Sequence, residues 1–527
     1  MNHEFHNLRR RDFVKYSLLM TAATSMPSIS GCAIPKKNVP SLDYKTFLIK
    51  NARLVDVNSG QIAEDAWLFV DNGNIAAQGT GEAPQSKQFL VFDLKGRYLM
   101  PGLIDAHCHS TASCVFSMKM IDIMDHARQQ KQNYVSSIES GVITIRDMGA
   151  FPGLLHMFIR DIEEGNMPGP RVLYCNSILN LMGGHPEIPP SDMNILARPV
   201  SLFVGMIMDN FRDIAEMEHD LEENAKGASL IKLTMDNQTI FCKKKKEIPV
   251  YTNEQLNIIF RYADKKGLPV SGHHQFKYGF DRAMDYPFHS IEHIATDAVL
   301  SDNDILKMAK RNIAIVPTMT VGQSFLMEEA FDEIPPQYRT PEITKELEVR
   351  RDYFENEAQR HCNPLLHKQN LGALKDYKKY GIDNLWEKKK FLVNPYVFFN
   401  MIGNGFVNLR KMNQAGILIG CGIDAGMPFN YFGGNYREYE IMKRAGFTNI
   451  EIIRCATINN AKILRLADKT GSLETGKYAD MVVLNDNPLD DIRILRKPQM
   501  VFKQGGLMFS AGNLHEDGTI PAIPDNS

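Results

Sequence analysis

Apolar and polar positions follow two regimes along the chain. From 41 to 98 the apolar runs are short: Phe47-Leu48-Ile49, Ala66-Trp67-Leu68-Phe69-Val70, Asn74-Ile75-Ala76-Ala77 and Phe89-Leu90-Val91-Phe92. Asp71-Asn72-Gly73-Asn74 between two of them predicts a hairpin turn. The same short-strand character returns over 470–484, so the two ends are expected to meet in one composite β-sandwich. Between them, strand-like runs alternate with helical periodicity. Strands are expected at 102–107, 142–146, 171–176, 230–234, 269–273, 290–293, 313–318 and 417–423, with helices such as 254–266 and 302–311 between. Eight strand–helix repeats over about 360 residues is the count for an α/β fold of the (β/α)8 TIM-barrel type. The expected organisation is a leader at 1–32, sandwich at 41–98, barrel at 99–466 and sandwich again at 467–512. Two connections are long, one from the third strand to 230 and one from 320 to about 416. The second is expected to carry helices at 342–360 and at 374–380, the latter stopped by Gly381. Loops of this size on a barrel's active face shape the substrate site.

Composition narrows the function classes. The 527 residues are 44% hydrophobic and 23% charged, with a formal net charge of −2. No global basic bias points to nucleic acid, and no apolar run approaches the roughly 20 residues of a membrane-spanning helix. The first 32 residues differ from the rest. Arg9-Arg10-Arg11-Asp12-Phe13-Val14-Lys15 precedes a mildly apolar segment ending in Ile29-Ser30-Gly31-Cys32. A positive head before a short apolar middle is a targeting signal. Arg10-Arg11 with Phe13 and Lys15 resembles the twin-arginine export motif, and Ile29–Cys32 resembles a bacterial lipobox. The expectation is an exported bacterial lipoprotein, periplasmic or membrane-anchored through a lipid on Cys32. None of the eight cysteines forms a Cys-x-x-Cys pair, which argues against a zinc knuckle. Several fall in expected strands, where a thiol serves as a small apolar side chain.

The chemistry gathers where strands end. The stretch 99–110 reads Leu-Met-Pro-Gly-Leu-Ile-Asp-Ala-His-Cys-His-Ser. Residues i and i+2 of a strand share a face, so His107 and His109 can approach one metal ion. Lys232 lies inside the apolar run Leu230-Ile231-Lys232-Leu233, where an unpaired ammonium is costly. His273, His293 and Asp424 close three further expected strands. Six such residues at the tips of five strands of one barrel, where barrel enzymes keep their catalytic groups, are not independent accidents.

These motifs resemble the amidohydrolase superfamily of metal-dependent hydrolases. Met100-Pro101-Gly102-Leu103-Ile104-Asp105-Ala106-His107-Cys108-His109 is similar to its strand-one signature. Gly141-Val142-Ile143-Thr144-Ile145-Arg146-Asp147 is similar to the strand-two segment of its prolidase-like and imidazolonepropionase-like branch, and 471–484 to the return into the sandwich. The resemblance implies two divalent metal ions, zinc first and manganese or cobalt also suited. His107, His109 and Asp424 would hold one, His273 and His293 the other, with Lys232 bridging as N6-carboxylysine. A hydroxide shared by the metals would attack an amide C–N bond, and Asp424 would be the acid–base catalyst. A dipeptide, of Xaa-Pro or Xaa-Arg type, or an N-acyl amino acid is the implied small-molecule substrate. The mononuclear deaminase branch lacks the strand-four lysine, so Lys232 favours amide hydrolysis.

Other residues are read more modestly. Strand alternation lets only one of His273 and His274 face the site, and His274 is taken as the polar neighbour. His185, in Gly183-Gly184-His185 after strand three, stands where related dipeptidases hold the substrate carbonyl. Arg146-Asp147 is read as structural, and Lys243–Lys246 as a solvated face. Asp236-Asn237-Gln238 replaces the Gly-rich turn that relatives often carry after strand four. The alternatives are a cyclic-amide or imidazolonepropionase-type hydrolase, a mononuclear deaminase, and a surface lipoprotein that uses the barrel only as a binding scaffold.

Overall fold

A computed structural model describes residues 45–85, 89–115, 122–186, 208–211, 214–241, 247–328, 334–387 and 393–512. The leader, Cys32 and Lys243–Lys246 lie outside the described residues. No helix among the described residues is long and apolar enough to cross a membrane.

Both ends of the chain share one eight-stranded sheet. Its N-terminal members include Phe47–Asp56, Gln61–Asp71 and Asn74–Thr80, and its C-terminal members are Met481–Leu484, Met500–Lys503 and Gly506–Ser510. The expected hairpin forms at Asn72-Gly73, both residues having positive φ (48° and 77°), as a two-residue turn between twisted strands demands. The strand Tyr98–Pro101 pairs antiparallel with Met481–Leu484 and so ties the two ends together. Phe47, Phe92 and Phe502 meet in their core with ring centroids 5.2–5.5 Å apart.

The central chain forms two parallel sheets. One orders Leu103–Cys108, Val142–Asp147 and Arg171–Tyr174. The other contains Ile178–Leu181, Met208–Phe211, Ile231–Thr234, Val270–His273, Ser290–Glu292 and Ala314–Val316. The pairs Ile178–Leu181 and Met208–Phe211 fall inside what the sequence presents as a loop. The other strands match expectation to within one or two residues at each end.

The expected strand 417–423 is not a regular strand, which corrects the sequence reading. Its backbone bonds on both sides, from Ala106 N to Cys421 O (2.9 Å) and from Gly420 N to Ile315 O (2.8 Å). It therefore joins the two parallel sheets along that edge. The physical reason for its irregularity is Asn460. Its carboxamide accepts from Cys421 N (2.9 Å) and donates to Cys421 O (2.7 Å) and Ile104 O (2.6 Å). A side chain thus occupies positions that a ladder would fill. Gly422 permits the approach, since a Cβ there would stand 2.6 Å from His107 N.

The helix Asp302–Arg311 agrees with expectation, with a Ser301 capping box and Asn312 in the left-handed conformation at its end. The predicted helix 342–360 is instead an α-helix at Pro341–Asp352 followed by a π-turn, Tyr353–Glu357, and a 3-10 turn. The helix predicted at 374–380 runs Pro364–Glu387 and passes through Gly381. An interior glycine costs about 1 kcal/mol, too little to stop a helix of this length.

Candidate functional site

His107, His109, His273 and His293 stand at or just past the C-terminal ends of parallel strands, Lys232 lies inside one, and Asp424 follows the irregular segment 417–423. A ligand atom from each of His107, His293 and Asp424 lies within 4.8 Å of the other two. His107 and His109 leave the end of Leu103–Cys108 with ring centroids 5.7 Å apart. Their strand pairs irregularly with its neighbour between Asp105 and Cys108, and such a bulge re-aims side chains at a strand end. Asp424 Oδ1 is 3.2 Å from His109 Nε2 and 3.5 Å from His107 Nε2. Asp424 Oδ1 has no aligned hydrogen-bond donor among the described residues, though both imidazole nitrogens lie close to it. The His293 ring lies 4.8 Å from His107 and 4.4 Å from His273.

Two of these residues carry backbone strain. His293 (φ 69°) and Asp424 (φ 55°) occupy the left-handed region, which costs a non-glycine residue about 1 kcal/mol or more. The surrounding contacts hold them there. Asp424 N donates to His107 O (2.8 Å), His293 N donates to Val316 O (2.9 Å), and His293 Nδ1 shares a 2.6 Å bond with Thr318 Oγ1.

The histidine orientations are set from behind. His107 Nδ1 is 2.8 Å from Glu292 Oε2, and His109 Nδ1 is 2.8 Å from the Gly149 carbonyl. A carboxylate or carbonyl there accepts, so each Nδ1 carries the proton and each Nε2 lone pair faces the site. Glu292 is fully buried and held by Arg146 (2.7 Å), Ser271 (2.6 Å) and Ser290 (2.8 Å). Burial pushes its carboxyl upward, but Arg146 and Lys232 outweigh this and hold it well below the ordinary carboxylate range. Burial, helped by Lys232, brings His107 down to about 4. It is therefore neutral near pH 7, the form that binds metals. Burial alone would also lower His109, yet the Asp424 contact leaves it raised, a sign that this corner favours positive charge.

Lys232 is 1% exposed on Ile231–Thr234, and its Nζ has no hydrogen-bond partner among the described residues. Burial lowers its ammonium to about 8, Arg146 acting with burial and Glu292 against it. The His273 Nε2 atom is likewise unpartnered, 3.8 Å from Asp236 Oδ2. The lowered His107, His273 and His293, a carboxylate held low against burial by His107, His109 and Lys232, and the unpartnered Lys232 Nζ and His273 Nε2 fit a divalent cation.

His185 joins this group. Its ring stacks on His273 at 4.5 Å and on Phe241 at 5.5 Å, and Nδ1 is 3.0 Å from Thr239 Oγ1. His274 turns away, with its ring 5.9 Å from Phe280, and burial takes it down to about 3. Arg146 pairs with Glu292 across the array, while Asp147 accepts from Ser110 N (2.7 Å). Sequence reasoning missed Glu292. The signal in the sequence was a charge inside an expected strand, of opposite sign to Arg146 on another. The six described cysteines are buried and free.

The model of the amidohydrolase family matches residues 98–508. The chain belongs to the amidohydrolase family. A curated relative of nearly full length is ochratoxinase from Aspergillus niger, 22% identical, with 92% of each chain covered. Adenine deaminase from Kosmotoga olearia is 48% identical over 69 residues, 13% of this chain and 11% of its own. Among solved structures, a Xaa-Pro dipeptidase with bound methionine matches with TM-score 0.65 at 22% identity, covering 88% of this chain and 99% of that one. The structure of the A. niger ochratoxinase matches with TM-score 0.63 at 20% identity, covering 90% and 98%. These structures share the amidohydrolase TIM-barrel type of fold with this mixed α/β chain.

Proposed function

We propose that the chain is a binuclear hydrolase of an amide bond in a dipeptide or N-acyl amino acid. The observation that carries this reading is Lys232, a buried lysine without a hydrogen-bond partner among the described residues, in the company of His107, His109, His273, His293 and Asp424. Its lowered basicity leaves a usable share of free amine near neutral pH, the form that reacts with carbon dioxide to give a bridging carboxylysine. His107, His109 and Asp424 would hold one divalent ion, most suitably zinc, and His273 and His293 the other. The two ions would supply an acidified water and a polarised carbonyl. Asp424 accepts the proton of the attacking water and returns it to the departing nitrogen. Neutral His185, lowered to about 3 by burial, donates from its ring to the substrate carbonyl oxygen.

Support for the substrate class comes from the dipeptidase and ochratoxinase relatives. The adenine deaminase similarity covers 13% of this chain for the Kosmotoga olearia enzyme and 27% for that of Mesorhizobium japonicum, and the strand-four lysine argues against mononuclear deamination. In the same reading the parallel strands close into a (β/α)8 barrel over 99–466, and 41–98 with 467–512 form the composite sandwich. Residues 1–32 export the protein and Cys32 receives the lipid.

The test is a panel of Xaa-Pro and Xaa-Arg dipeptides, N-acyl amino acids, cyclic amides and adenine, assayed before chelation, after it, and after zinc is restored. Cleavage of a linear amide that is lost with chelator and regained with zinc is the expected result. Metal-replete protein that releases ammonia from adenine, and hydrolyses no amide, would overturn the reading.

A further inference from the structure

Arg437 is fully buried, yet no carboxylate lies within 4 Å of its guanidinium among the described residues. Its Nη atoms donate to neutral groups only: Asn430 Oδ1 (2.7 Å), Gln323 Oε1 (3.2 Å) and Ser324 Oγ (3.1 and 3.2 Å). The flat face rests on Tyr353, with Cζ 4.0 Å from the ring centroid. A buried cation normally has a counter-charge, and stacking on an aromatic ring offsets only part of that need.

The remaining donor, Arg437 Nε, is unpartnered, as are the buried Tyr353 hydroxyl and His361 Nδ1. All three adjoin a two-glycine floor. A Cβ on Gly434 would stand 3.3 Å from the Tyr353 hydroxyl and 3.4 Å from Arg437 Nε. A Cβ on Gly433 would stand 2.5 Å from His361 Nδ1. At Gly433 the His361 ring already holds the place a side chain would take, and at Gly434 a Cβ would also stand 3.2 Å from Tyr431 O, so the two glycines let the backbone lie close against all three donors. Arg350 adds positive potential at Arg437, and Arg360 does so at His361. Glu438, next in sequence, is engaged elsewhere, accepting from Met319 N (2.9 Å) and Thr320 N (2.6 Å). His361 is half-buried and forms the side of the cradle nearest solvent.

We propose that this cradle binds a small monovalent inorganic anion of the halide class, held by Arg437 Nε, the Tyr353 hydroxyl and His361 Nδ1. The anion joins the inserted segment 341–362 to the loop that follows Asp424. The opposite edge of the same guanidinium grips Asn430, whose side chain donates to Ile423 O and whose carbonyl accepts from Gly426 N (3.0 Å). Those two residues flank Asp424, so occupancy of the cradle stiffens the Asp424 turn.

The test compares chloride with gluconate at equal ionic strength, reading the thermal midpoint of the wild-type chain, Tyr353→Phe and Gly434→Ala. Tyr353→Phe removes one hydroxyl and keeps the fold, while Gly434→Ala sets a methyl against the Tyr353 hydroxyl and Arg437 Nε. Chloride is expected to raise the wild-type midpoint by about 2 °C or more, and each variant should lose most of that increment. Bromide-soaked crystals should show an anomalous peak beside Arg437 Nε. An equal chloride response in all three proteins, or an ordered water there with no bromide signal, would overturn the proposal.

Discussion

Glu292 shows how a residue that touches no substrate can decide whether a ligand works. Its carboxylate fixes the proton of His107 on Nδ1, and Arg146, Ser271 and Ser290 hold that carboxylate in place. In Glu292→Gln, an amide must accept from His107 while its NH2 faces Arg146 or the serines. Metal affinity should fall about 10- to 100-fold, measured by competition with a chromophoric chelator; unchanged affinity would remove Glu292 from the centre. Asp424→Asn should retain the fold and lower kcat by about 100- to 10,000-fold, read in steady-state kinetics on whichever amide the panel identifies. The candidate ligands were legible from local signals: the histidines and Asp424 close expected strands, and Lys232 lies inside an apolar one. The Glu292–Arg146 pair was not, because its members stand 146 positions apart and no local pattern couples them. Arg146 looked structural beside Asp147; its partner turned out to be on another strand.

At the scale of elements, Asn460 replaces part of a β-ladder. It satisfies Cys421 N, Cys421 O and Ile104 O, and Asn460→Ala would strand buried backbone groups worth about 1–3 kcal/mol each. Hydrogen exchange over 417–425 should quicken markedly in that variant, and unchanged protection would mean that the segment holds without it. The apolar run 417–423 was readable as a core segment. Its irregular backbone was not, because Asn460 sits on a helix, Asn460–Ile463, far along the chain. The long helix Pro364–Glu387 makes a second element-level case. Gly372 is exposed within it, and no atom lies within 4 Å of an added Cβ. Gly372→Ala should stabilise by about 0.5–1 kcal/mol, seen as a small rise in thermal midpoint. A fall would show that the position is constrained in some other way.

For the whole molecule, burial of neutral histidines dominates the response to acid. His107 and His361 are lowered to about 4, His185 and His274 to about 3. Between pH 6.5 and 4 the unfolded chain takes up these protons and the folded chain does not, so stability falls as pH falls. Asp105 and Glu438, raised by burial to about 7, work in the opposite sense, since the folded state keeps their protons longer. Burial raises Asp147, Asp236 and Glu440 as well, but the lowered histidines, His273 and His293 among them, are more numerous. Metal-free protein should therefore unfold at lower urea concentration at pH 5 than at pH 7.5; the reverse order would contradict the buried neutral assignment. The alternating pattern made the mixed α/β architecture and the meeting of the chain ends legible. The strands hidden in the first long connection were not, because Asn180 interrupts Ile178–Leu181 and Asp209-Asn210 interrupt Met208–Phe211, so neither shows an apolar run.

The most direct test of the central claim is metal content per chain, measured on protein purified without chelator beside a Lys232→Ala preparation. The account predicts about two divalent ions in the wild type, as in two-metal hydrolytic sites, and a marked loss in the variant. Equal content in both, or wild-type protein that holds no metal, would contradict it.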